Sequence, residues 1–144
     1  MKIVLDTNIF VSALLRDSVI RELIVNSPLE LVFPEVILDE LREHEEELLE
    51  KSGLLKDEYG KLINKLLAYV KILPTEILKP YKEDALRIIG AIDKDDAIFF
   101  AAALFIKDAV IWSDDKHLKK QKEIIVLNTK EIMQLFKQLT KNEI

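Results

Sequence analysis

The sequence contains no cysteine, only three glycines and four prolines, and just two histidines in 144 residues. Without cysteine it can form neither a disulfide nor a thiolate zinc site. The histidines, His44 and His117, are far apart and each sits among polar residues. They offer no paired zinc ligand and no Ser-His-Asp arrangement, and both read as surface residues. There is no Walker A loop and no GxGxxG, which argues against a nucleotide cofactor. No apolar run is long enough to span a bilayer, and the N-terminus lacks a signal-peptide pattern, so the expectation is a soluble, cytoplasmic protein. Positive charge is also in deficit: 21 Lys and Arg stand against 26 Asp and Glu, for a net charge of −5. A nucleic-acid binder that works by bulk electrostatics is usually basic. If this chain handles a polyanion, it must do so through a local patch or through metal ions.

What is present is an ample core and an ordered series of acids. Apolar residues make up 49% of the chain, enough for one domain. The chain opens with Lys2-Ile3-Val4-Leu5-Asp6-Thr7-Asn8. A continuous apolar run bounded by polar residues suits a strand buried on both faces, and it places Asp6 at that strand's carboxyl end. Further strands are expected at Leu29–Phe33, Val70–Leu73, Ala109–Trp112 and Ile124–Leu127. The expected helices are Ile9–Leu15, one capped by Asp17 or Ser18 with Val19, Leu23 and Ile24 inward, and one from Pro34 through the acidic run to Ser52-Gly53. Others run from Asp57 to Tyr69, with Leu62, Leu66 and Tyr69 on one face, from Glu83 to a stop at Gly90, from Lys94 to Ile106, and from Thr129 with Ile132, Leu135 and Phe136 inward. The helix after Lys94 is apolar almost all round and should lie centrally. The end of the chain, from Lys141, should fray. Strands alternating with helices predict an α/β fold, a three-layer α/β/α sandwich on a mainly parallel sheet of about five strands.

In such a sheet the carboxyl edge binds ligands. Asp6, Glu40, Asp96 and Asp115 are predicted to gather there, with Asp93 beside them and Ser113 offering a hydroxyl. Each has a plainer reading. Asp6, Asn8 and Asp93 suit turns or helix caps, and Glu40 suits a first helical turn. Asp96 is harder to dismiss, because it directly precedes the most apolar stretch and needs a compensating cation or a raised pKa. Hard oxygen donors without cysteine or paired histidine point to Mg²⁺ or Mn²⁺. Such ions suit hydrolysis of a phosphodiester. Lys116, Lys119, Lys120 and Lys122 follow the last acid as a candidate backbone-binding patch; the plainer reading is a solvated turn.

Val4-Leu5-Asp6-Thr7-Asn8, Pro34 through Glu40-Leu41, Asp93-Lys94-Asp95-Asp96 and Trp112-Ser113-Asp114-Asp115-Lys116-His117-Leu118, in this order and spacing, resemble a PIN domain. That is the fold of VapC-type toxins and other metal-dependent ribonucleases, and the resemblance covers nearly the whole chain. It implies an acidic tetrad at Asp6, Glu40, Asp96 and Asp115, with Asp6, Asp96 and Asp115 as metal ligands. Asp93, Asn8 and Ser113 would support them. It further implies an RNA substrate, often a homodimer, and in many relatives an antitoxin partner. One departure stands out: His117 occupies a place where many relatives carry an acid, which puts a second metal in doubt. Two rivals remain. One is a PIN-like scaffold that binds a protein without cutting RNA. The other is a receiver-like phosphoacceptor, disfavoured because the third strand ends at Leu73-Pro74 without an acid.

Overall fold

The computed structural model describes residues 1–15 and 18–142. Five strands form one sheet in the order β3-β2-β1-β4-β5, and every pairing is parallel. They are β1 (Lys2–Leu5), β2 (Leu31–Pro34), β3 (Val70–Leu73), β4 (Ala109–Trp112) and β5 (Val126–Leu127). β1 is central. Ile3 pairs with Leu31 of β2 on one side, and Leu5 pairs with Trp112 of β4 on the other. Ile3, Val4 and Leu5 are each 0% exposed. Neighbouring strand residues point to opposite faces, so both faces of the sheet are covered.

The helices are α1 (Thr7–Leu15), α2 (Ser18–Val25), α3 (Val36–Glu43), α4 (Glu45–Ser52), α5 (Lys56–Leu67), α6 (Thr75–Leu78), α7 (Lys82–Asp93), α8 (Ala97–Ile106) and α9 (Thr129–Asn142). Short 3-10 turns at Lys79–Tyr81, Lys94–Asp96 and Lys116–Lys120 link them. α8 carries the apolar run and packs on β1, β2, β4 and α7, burying Phe99, Phe100 and Ala101 through Ala103. Phe10 of α1 meets Phe33 of β2 at a centroid distance of 5.3 Å, within the range in which tilted rings attract. Among the described residues no helix is long and apolar enough to cross a membrane.

Several boundaries differ from the sequence reading. Pro34 closes β2 rather than opening the next helix. It lacks an N–H, so the ladder ends there without losing a bond. The helix expected from there to Ser52 breaks at His44. Like charges spaced along Glu43–Glu47 disfavour one continuous helix, and the break puts Glu45, Glu46 and Glu47 at a fresh N-terminus, where the helix dipole favours them. α7 runs through Gly90 to Asp93, because Ala85 and Ile89 are locked in the core against α8 and packing outweighs the glycine's low propensity. The expected Lys94–Ile106 helix opens as a 3-10 turn. α6 was not legible in the pattern, and β5 begins at Val126, not Ile124. Tyr59, not Tyr69, is the buried tyrosine of α5, and Ile20 rather than Val19 is buried in α2. In α9, Ile132 and Phe136 are buried and Leu135 is half-buried. The Asp17 cap lies outside the described residues, as do residues 143–144; Lys141 is still within α9.

Lys107, between α8 and β4, adopts φ +75° and ψ −54°. An L-residue is strained there, at a cost of roughly 1–3 kcal/mol. Lys107→Gly should therefore raise the unfolding free energy by about 1 kcal/mol. Urea denaturation of the two proteins measures it, and a lower midpoint for the glycine variant would contradict it.

Candidate metal centre

The chain leaves β1 toward β2 and β3, then returns to β4 and β5 on the opposite side of β1. The crevice between the carboxyl ends of β1 and β4 is thus a topological switch point, where open α/β sheets bind ligands. Asp6 follows β1 directly and is only 5% exposed. Its Oδ1 accepts the Ile9 amide at 2.9 Å, so it caps α1 while its carboxylate stays at the crevice. Ser113 follows β4 and is 1% exposed. Its hydroxyl accepts the Asp115 amide at 3.1 Å.

Asp93, Asp96 and Asp115 each offer a carboxylate oxygen, and these atoms lie within 4.8 Å of one another. Asp93 ends α7 and bends the next turn, accepting the Asp95 amide at 3.0 Å. That turn brings Asp96 round to the same side. Asp6 is not one of the three, but its charge acts on Asp96. Burial, the first cause, together with the charge of Asp93 and a hydrogen bond to it, pushes the Asp96 carboxyl up to about 7; Asp6 and Asp115 add to the shift. Burial also raises Asp6, with the Ser113 hydroxyl and the Ile9 amide pulling the other way. Asp115 behaves oppositely. Its Oδ1 accepts the His117 amide and lies 2.9 Å from His117 Nδ1, and these contacts hold it below the usual carboxylate range. Asp115 Oδ2 carries neither bond. The donor set is therefore all hard oxygen, crowded and undercompensated, which fits a small divalent cation.

Glu40, half-buried on α3, is tied in by a residue outside the predicted site set: Thr7 Oγ1 donates to Glu40 Oε2 at 3.0 Å. A hydroxyl next to a buried-strand acid was the available signal. Asn8 is exposed on the first turn of α1, and among the described residues no hydrogen bond joins it to the acids. Asp114 faces away, accepting the Thr129 amide at 2.7 Å and its hydroxyl at 2.8 Å. It anchors α9. The lysines divide as well. Lys119 is ion-paired with Glu131, the Lys122 amine donates to the Lys119 carbonyl, and Lys116 and Lys120 are exposed. Lys116 and Lys130 border a cavity of about 320 Å³ beside Ser113 and Asp115. A cavity of about 510 Å³ between α2 and α9 includes none of these acids.

The Asp96 shift has a thermodynamic consequence. In metal-free protein the folded state keeps a proton that the unfolded chain loses above 3.8. Stability should therefore fall as pH rises from 3.8 through about 7 and level off beyond it. Asp96→Asn should flatten that fall. Urea midpoints against pH in EDTA test this, and an equal slope in the variant would assign the titration to another group.

A family model for the PIN domain matches residues 4–136. No curated protein matches the chain. Among solved structures, the crystal structure of VapBC2 from Rickettsia felis, bound to a DNA fragment from their promoter, superposes with a TM-score of 0.66. It shares 18% identity over 89% of this chain and 98% of that one. That likeness establishes the fold: a five-stranded parallel sheet with its helices. With the family model spanning nearly the full length, from β1 through most of α9, the chain belongs to the PIN domain family.

Proposed function

We propose that the protein is a Mg²⁺- or Mn²⁺-dependent endoribonuclease that hydrolyses phosphodiester bonds of RNA, serving as the toxin of a toxin-antitoxin pair. One observation carries the reading. Three carboxylates converge within 4.8 Å at the sheet's switch point, and Asp96 is pushed to about 7 in the absence of a cation. Such crowding costs stability unless a cation offsets it. The likeness to VapBC2 of Rickettsia felis supports an antitoxin partner, and the same reading carries a homodimer.

Asp93, Asp96 and Asp115 would hold the cation, with Asp6 adding a fourth charge beside them, directly or through water. A bound Mg²⁺ or Mn²⁺ supplies Lewis-acid stabilisation of the phosphoryl oxygens and makes the attacking water more acidic. Glu40, oriented by Thr7, would accept the proton of the attacking water. Ser113 fixes the Asp115 backbone and steadies the Asp6 carboxyl. Lys116 and Lys120 meet the RNA backbone; Lys119 joins them only by leaving Glu131. A second reading, a scaffold that binds a partner without cutting RNA, draws on the His117 ring beside Asp115, which competes for that carboxylate.

Cleavage of a mixed, structured RNA should require Mn²⁺ or Mg²⁺, stop in EDTA, and vanish in Asp6→Asn and Asp96→Asn. Cleavage that persists in both variants would sink the assignment. Metal binding by calorimetry without cleavage under any condition would favour the scaffold. Glu40→Gln should lower kcat by roughly 10²–10⁴-fold as expected for loss of a proton acceptor, and Thr7→Val by about tenfold through misorientation. Mn²⁺ affinity should hold in both. An unaltered kcat for Thr7→Val would deny Thr7 its positioning part.

A further inference from the structure

A second cavity, of about 280 Å³, lies between α6, α7 and α8, at the small end of the roughly 300–1,000 Å³ range of ligand sites. Its floor is apolar and includes Leu86, Ile98 and Ala101. Leu86 is left 37% exposed. Three lysines, Lys79, Lys82 and Lys94, border the cavity, with one acid, Asp95. Lys79 pairs with Glu76 at 2.8 Å, both side chains well exposed, so that pair is weak and easily exchanged. Among the described residues neither Lys82 nor Lys94 has an ion-pair partner. Within the cavity's lining, three lysines stand against one acid, in a chain of net charge −5.

Location adds the second half of the argument. Lys94 and Asp95 line the cavity and lie in the chain between Asp93, which caps the 3-10 turn, and Asp96, which ends it, so the cavity's rim is one residue from two of the carboxylates. A substrate strand with one phosphate at those acids has this cavity within reach of its next nucleotide. Aliphatic side chains such as Leu86 and Ile98 can cover the apolar face of a nucleobase, and lysines accept its flanking phosphates. We infer that this cavity is a nucleotide subsite: it seats one base of single-stranded RNA next to the bond to be cut, and its lysines meet the flanking phosphates. The assignment rests on the nuclease reading above.

The test uses the full chain, a short fluorescein-labelled single-stranded RNA, and the same strand made abasic. Binding is read by anisotropy without metal, and cleavage is read in Mn²⁺. Lys79→Glu/Lys82→Glu leaves Lys94, which neighbours the acids, untouched. This double variant should raise Kd and KM about tenfold with kcat, Mn²⁺ affinity and Tm unchanged, and reduce the salt slope by about 1.4, at ~0.7 per phosphate contact for single strands. Leu86→Asp should erase the preference for the base-bearing strand over the abasic one. If the wild type cuts RNA while the double variant keeps its KM and salt slope, the subsite is wrong and the nuclease stands. A changed sedimentation mass in either variant with RNA affinity intact would assign the cavity to a second copy of the chain and overturn the inference. If the wild type binds Mn²⁺ but neither binds nor cuts either strand, the nuclease reading itself falls, and the subsite with it.

Discussion

Mutual repulsion among carboxylates held at one partly dry edge is the constraint around which this structure is built. Asp6, Asp93, Asp96 and Asp115 would separate in water, yet the fold holds them together. Asp6 is nearly buried, and Asp96 resists ionisation up to about 7. An edge of this kind is unfavourable for a protein that only needs to be stable. It is favourable for one that takes up a divalent cation. Three of the four are held by local hydrogen bonds: Asp6 by capping α1, Asp93 by capping the following turn, Asp115 by the amide and ring of His117. Packing of α8 on the sheet then fixes where these devices meet.

The division of labour between Asp114 and Asp115 shows how fine that positioning is. Adjacent in sequence and alike in chemistry, they face different structures. Asp114 takes both donors of Thr129, whose hydroxyl also accepts the Trp112 indole N–H at 3.0 Å. Asn128 and Glu131 complete the cap reciprocally, as a capping box does. The end of β4 is therefore clamped to the start of α9, and the clamp leaves Asp115 facing the crevice.

Much of this was legible in the sequence, and for physical reasons. Strand positions followed from short apolar runs, α8 from its unbroken apolar character, Asp6 and Asp115 from their places just past strand ends, and Asp96 from its place at the head of α8. The misses share a cause: they depend on contacts between distant segments. Nothing local marks Thr7 as the partner of Glu40, Lys119 as the partner of Glu131, or Tyr59 rather than Tyr69 as the buried ring. Gly90 reads as a stop because propensity is local, and it fails to stop α7 because packing against α8 is not. His44 is a further miss: one helix was expected from Pro34 to Ser52, and it breaks where Glu43 to Glu47 crowd like charge along the chain.

The pairing of β1 with β4 also orders events during synthesis. Lys2 must find Ala109 and Leu5 must find Trp112, contacts of long sequence separation that form slowly. A nascent chain that has emerged only through α8 already carries Asp6, Asp93 and Asp96, but β1 then has one sheet neighbour instead of two, and Asp115 is still missing. The crevice has no second wall until β4 arrives. Until β4 pairs with β1, the acids that follow β1 and α7 therefore have no completed crevice to share.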